Sequence, residues 1–218
     1  MSLSSVQPNL TRNPIWRGLE LLILFVGIPL LYRFELIPFH KSIPLLLGGG
    51  YCFLMLWRDT SFDRRRFRIN GFKDWKKLGL IWLGFAVISN AVVATIFPDR
   101  LFLLVHENPL LLLIIWIFYP LWSAYPQELI FRAFFFHRYD ALFPNVQVAI
   151  LVNAILFSFS HIIFQNWIAL AGTFLISFVF ARTYLKSKSL SVVALEHSLI
   201  GNWVFTVGLG QYFYLPMS

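Results

Sequence analysis

Residues 109–132 read Pro-Leu-Leu-Leu-Leu-Ile-Ile-Trp-Ile-Phe-Tyr-Pro-Leu-Trp-Ser-Ala-Tyr-Pro-Gln-Glu-Leu-Ile-Phe-Arg. An apolar run from Pro109 to Tyr125, broken by Pro120 and closed by Pro126, is followed at once by Gln127, Glu128 and Arg132. A run of that length and composition reads as a membrane span. An acid and a base one helical turn apart beside it form a functional-site candidate, because unpaired charge is most costly in lipid. Pro126 suits a first helical position, which leaves Gln127 and Glu128 in an opening turn whose dipole favours a carboxylate. The expectation is a new helix from Pro126 to about Phe143.

The remainder of the chain has the same character. Hydrophobic residues make up 58% and charged residues 13%, and the mean hydropathy is +0.70. That is more apolar surface than a soluble core of 218 residues could hide. Further apolar runs extend from Ile15 to Tyr32, Ile43 to Trp57, Leu78 to Phe97, Asn145 to Phe164, Trp167 to Leu185 and Leu190 to Leu209. The fold class expected is all-α, a polytopic transmembrane helix bundle forming one integral membrane domain over residues 1–218. Residues 1–108 would supply amino-terminal helices and a basic loop over 58–77, and residues 109–218 a core. That loop carries Arg64, Arg65, Arg66, Arg68, Lys73, Lys76 and Lys77, and so reads as cytoplasmic. The amino terminus, with Arg12 and Arg17, then faces the cytoplasm as well. The first run is long and lacks a small-residue cleavage site, so it does not read as a cleavable signal. The net charge of +8 resides mostly in connections between apolar runs, which argues for retention at a membrane face and against nucleic acid as a partner. Cys52 is the one cysteine, so no intrachain disulfide forms; beside Gly48, Gly49, Gly50 and Tyr51 it reads as a small apolar residue at a close helix contact.

Charge and depth give different span counts. Seven spans would bring Arg138, Arg182, Lys186 and Lys188 to the cytoplasmic side. Eight would let a helix starting at Pro126 run antiparallel to the next, which brings Glu128 level with His161. With Glu128 on a surface helix, the two would differ in depth by about 24 Å at about 1.5 Å per residue. Eight spans and a hydrated pocket beneath the cytoplasmic surface are therefore expected.

His161 closes Phe157-Ser-Phe-Ser-His, and His197 lies in Leu195-Glu-His-Ser-Leu-Ile-Gly-Asn202. Each polar group has a structural reading. Glu128 and Arg132 pair along one helix face, His161 is a satisfied interior histidine, and Glu196 holds the His197 ring. Their occurrence on three separate apolar segments is better explained by one shared wet cavity. Glu128, His161 and His197 also compose the two-histidine, one-carboxylate set that zinc takes with a water. The chain has no His-Glu-x-x-His, no Gly-x-Ser-x-Gly and no second membrane aspartate to pair with Asp140. The polar groups gather in one zone rather than along a path, which argues against a transporter.

The segment Glu128-Leu-Ile-Phe-Arg132, then Phe157-Ser-Phe-Ser-His161, then His197 with Asn202 resembles the CAAX protease and bacteriocin-processing (CPBP) intramembrane proteases. Their signatures are a double glutamate followed by arginine (EExxxR), a phenylalanine four residues before histidine (FxxxH) and a histidine four residues before asparagine (HxxxN). The resemblance covers the last hundred residues or so, in the family's order. It departs twice. Gln127 stands at the first glutamate, to which the family mechanism gives water activation, and Gly201 stands at the asparagine position, with Asn202 one residue later. The resemblance implies an intramembrane endopeptidase in a prokaryotic cell membrane, working without a metal on a peptide or membrane-anchored protein, lipidated or not. Glu128 and His161 would share the attacking water, and Arg132 would orient Glu128. His197 and Asn202 would donate to the oxyanion, and Gln127 would position water or substrate. The alternatives are an inactive scaffold or immunity protein on the same fold, favoured by Gln127, and a zinc protease.

Overall fold

The computed structural model describes residues 13–69 and 72–213, and among these the secondary structure is helical throughout. Among the described residues six helices are long and apolar enough to span a bilayer: α1 (Pro14–Arg33), α3 (Trp75–Ile96), α4 (Pro109–Arg138), α5 (Val146–Phe164), α6 (Trp167–Ser187) and α7 (Leu190–Val207). A shorter apolar helix, α2 (Ser42–Arg58), lies between the first two. The chain is therefore a multi-pass bundle. Arg12 lies outside the described residues.

Side-chain caps at the helix starts explain where the spans begin. Asn13, Asn108, Asn145, Asn166 and Ser189 each accept a hydrogen bond from a backbone N–H in the first turn that follows. Each satisfies a donor that the helix cannot. The end of α7 is Gly208, at φ 105°, packed so closely that a Cβ would lie 2.0 Å from the Arg100 carbonyl oxygen. Only glycine fits that approach.

The division at Pro126 is not made. Helix α4 continues through Pro120 and Pro126 as one element of 30 residues, so the preference for eight spans is replaced by six long helices and α2. The prolines are absorbed by local widening of the helix. The Tyr125 N–H reaches back five residues to the Pro120 carbonyl, and a second widened turn covers Leu129–Phe134. Such turns accommodate missing N–H donors inside membrane helices. Eight spans require a helix that begins at Pro126. With the start at Pro109, Glu128 lies deep along α4, and the seven apolar helices place Arg138 and Lys186 at the same end of the bundle.

Helix α7 forms the axis of the bundle. Buried residues make up 61% of it, against 11–39% in the other long helices. The aromatic core beside it is packed edge to face. The Phe25 ring lies 5.1 Å from Phe131 and 5.7 Å from Phe135, and Phe131 lies 5.0 Å from Phe157. Basic residues gather at one end, where Lys186 pairs with Asp74, Arg138 with Glu20 at 2.9 Å, and His137 with Asp59 at 3.0 Å.

Candidate active site

Glu128 and Arg132, on α4, are both fully buried. They face each other at 3.1 Å as an ion pair without an aligned hydrogen bond. The guanidinium is fixed by other partners: Nη1 donates to Asn153 Oδ1 at 2.5 Å, Nη2 donates to Ser177 Oγ at 3.2 Å, and the group lies 4.8 Å from the Phe157 ring centroid. Asn153 in turn donates to the Phe131 carbonyl, inside the widened turn of α4. A charge in an apolar interior is tolerable only with this degree of pairing.

The second carboxylate oxygen of Glu128 accepts from His197 Nδ1 at 2.8 Å. The other ring nitrogen, Nε2, lies 3.0 Å from the Tyr119 hydroxyl. Since Nδ1 carries the proton toward the carboxylate, neutral His197 accepts from Tyr119 at Nε2. His161 Nδ1 lies 2.7 Å from the Phe157 carbonyl. A carbonyl cannot donate, so this ring is protonated at Nδ1 and presents a lone pair at Nε2. Both imidazoles pack on the Phe157 ring, at 4.9 and 6.0 Å between centroids.

These rings line a cavity of about 390 Å³ inside the bundle, together with Tyr119, Ser123 and Gln127. Of the residues expected from sequence, the cavity thus brings together His161, His197 and Gln127. Glu128 and Arg132 stand behind His197 and do not line it. A direct contact between Glu128 and a cavity water is therefore not what the geometry offers: one oxygen is held by His197, and the other faces Arg132. Gln127 occupies the cavity wall instead, its Nε2 donating to Ser123 Oγ at 2.8 Å.

Asn202 is buried, but its Nδ2 donates to the Trp116 carbonyl at 3.2 Å. That carbonyl would bond the N–H four residues on, and residue 120 is proline. Asn202 thus repairs a helix rather than facing the cavity. The expected asparagine position, Gly201, cannot carry a side chain, because a Cβ there would lie 2.3 Å from Tyr119 Cε1 and 2.4 Å from its hydroxyl. The phenol occupies that space.

Tyr119 is the residue the sequence reading missed. A signal for it exists: Tyr119, Ser123 and Gln127 are spaced four apart, which puts them on one face of α4. The donors also fit zinc poorly. Both ring nitrogens of His197 and both oxygens of Glu128 are engaged, and among the described residues no three His, Cys, Asp or Glu side chains gather as a metal-holding group.

The fold and site define a polytopic membrane protein with a histidine-lined cavity inside its helix bundle. Residues 106–203 match the family model described as type II CAAX prenyl endopeptidase Rce1-like, in agreement with the CAAX protease family that the motifs resemble. The match runs across all three motifs and supports an intramembrane endopeptidase of the CAAX type. No curated protein and no solved structure matches the chain.

Proposed function

We propose that the chain hydrolyses a peptide bond with a water activated by the Glu128–His197 pair, without a metal. The observation that carries this reading is the hydrogen-bonded chain from the buried carboxylate through His197 to the cavity. A carboxylate behind Nδ1 fixes the tautomer that leaves Nε2 basic and stabilises the imidazolium that forms. A water entering between the two Nε2 atoms would donate one hydrogen to His161 and the other to His197. As its oxygen attacks the carbonyl carbon, His197 takes the proton and later returns it to the leaving amine as the C–N bond breaks. The Tyr119 hydroxyl, released from His197 by the incoming water, donates to the oxyanion. This gives the phenol the role the resemblance assigned to Asn202.

The test is cleavage of a quenched-fluorescent peptide library by the full chain in proteoliposomes, with products read by mass spectrometry. His197→Ala and Glu128→Gln should each reduce the rate by at least about 10²-fold, the scale of general-base and electrostatic contributions. An indifferent Glu128→Gln would favour the second reading, a non-catalytic scaffold or immunity protein. That reading has its own observation in Gln127, an amide on the cavity wall at the position where the family signature has a carboxylate.

We further propose that the chain lies in a prokaryotic cell membrane with its basic end and amino terminus toward the cytoplasm. Its partners would be lipid and a peptide or membrane-anchored protein.

A further inference from the structure

A second cavity, of about 280 Å³, lies among helix ends at the basic end of the bundle. Its walls come from the end of α4, the start of α5, the end of α6 and the short helix Arg64–Phe67 in the loop after α2. At that level the spans meet the headgroup zone of a bilayer. The cavity reaches the surface, because Asp140, Val146 and Lys188 on its lining are exposed. Among the described residues it shares no lining with the cavity of His161 and His197.

Two cations, Arg66 and Lys188, line this cavity, and among the described residues neither forms an ion pair with a carboxylate. Arg66 lies beside the Tyr184 hydroxyl and 6.0 Å from the Phe62 ring centroid, contacts that leave its charge unneutralised. The neighbouring Asp63 is held by Arg65 at 3.1 Å. Burial holds the Lys188 ammonium below its ordinary value, and the Arg66 guanidinium adds to this against the pull of Asp140. His137, the third basic residue on the lining, is taken by Asp59 at 3.0 Å. Asp140 is the one carboxylate on the lining, so two cations against one acid leave an excess of one positive charge. The first turn of α5, with Val146 and Ala149 on the lining, adds the positive end of a helix dipole. Like charges gathered in this way attract an anion that comes to lie between them.

We infer that this second cavity binds the phosphodiester of an anionic phospholipid headgroup between Arg66 and Lys188. The excess of one positive charge matches a phosphodiester monoanion. The rest of the lining fits a lipid better than a free phosphate. Phe135 and Phe143 stack with their centroids 5.5 Å apart, and Val146 and Leu185 complete an apolar wall for the glycerol and the first carbons of the acyl chains. Basic pockets between membrane helices take such headgroups. The inference is independent of the hydrolase reading, since none of its residues takes part in the proposed reaction.

Microscale thermophoresis of the full chain in detergent micelles tests it, with dioleoylphosphatidylglycerol, dioleoylphosphatidylcholine and inorganic phosphate as probes. Phosphatidylglycerol should bind at least about tenfold more tightly than phosphatidylcholine, and Arg66→Gln combined with Lys188→Gln should abolish that preference. Lys73→Gln combined with Lys76→Gln removes the same charge from exposed positions outside the cavity, and should change the affinity by less than about twofold. Asp140→Asn removes the opposing carboxylate and should tighten phosphatidylglycerol binding by about fivefold, the scale of one charge near a bilayer surface. A protein that fails to fold cannot give such a gain. Equal binding of the two lipids, an equal loss in the Lys73 and Lys76 variant, or an Asp140→Asn chain that binds no more tightly overturns the inference. Displacement of phosphatidylglycerol by millimolar phosphate would assign the cavity to a soluble anion, which overturns it as well.

Discussion

At the scale of single residues, the difference between positions 127 and 128 decides the chemistry. Neighbours on a helix point about 100° apart, so when Gln127 faces the cavity Glu128 is turned behind His197. Gln127→Glu would place a carboxylate on the cavity wall beside Ser123. Cleavage should then rise by at least about tenfold, since a positioned base contributes about 10²–10⁴-fold in favourable cases. A rate that falls instead would show that the Gln127 amide positions water or substrate. Tyr119→Phe removes the hydroxyl alone and leaves the ring packed against Gly201. Its expected effect is a loss of about 10²-fold in kcat with KM little changed, on the scale of one oxyanion donor. Arg132 acts on stability as well as on the site. Arg132→Ala strands a fully buried carboxylate, and thermal unfolding in detergent should show a loss of about 3–5 kcal/mol. Arg132→Lys should recover only part of this, because an ammonium cannot reach Asn153, Ser177 and Glu128 in the guanidinium's fork geometry.

At the scale of the helix, α4 and α7 are fitted to one another through defects. Pro120 leaves a carbonyl without its helical donor, and Asn202 supplies one across the interface. Asn202→Ala should therefore cost about 1–3 kcal/mol by orphaning that carbonyl. In a Pro120→Ala background, where the backbone N–H returns, the same change should cost measurably less. This coupling in a double-mutant cycle distinguishes helix repair from a role in catalysis, for which Asn202→Ala would depress kcat equally in both backgrounds. The same defects limited what could be read from sequence. The apolar runs were legible because their lengths are set by the bilayer, and the Glu128, His161 and His197 motifs because charge and imidazole stand out among leucines. The continuity of α4 was not, since a proline preceded by apolar residues is as consistent with a helix start as with an interior widened turn. The turn of Glu128 away from the cavity was equally hidden: its partner His197 lies 69 positions away, and only packing decides which of two adjacent residues faces it.

At the scale of the molecule, the bundle has two unlike ends. One is basic and stapled, with the loop after α2 tied to the end of α4 through Asp59 and His137 and to the end of α6 through Asp74 and Lys186. The other carries the outermost residues of the cavity lining, among them Tyr32, Lys41 and Phe164. Burial opposes ionisation of Asp59, yet hydrogen bonds from Ser61 and His137 outweigh it and hold the carboxyl down at about 2. Asp74 is likewise held below the usual range by Lys186. A carboxyl whose folded pKa is depressed stabilises the fold above its unfolded value of about 4, and that contribution is lost as pH falls through the folded value. The loop should thus stay docked from neutrality to about pH 4 and loosen between about 4 and 2. Amide hydrogen exchange over residues 59–69 measures this directly, with protection expected to fall in that window. Asp59→Asn, which removes the charge at every pH, should lower protection at neutrality and flatten the acid step. Both staples lie at the basic end, so exchange at residues 160–166 should not follow the same profile. If both ends loosened together, the two faces of the bundle would be one cooperative unit, and the division between a stapled end and a cavity end would fail.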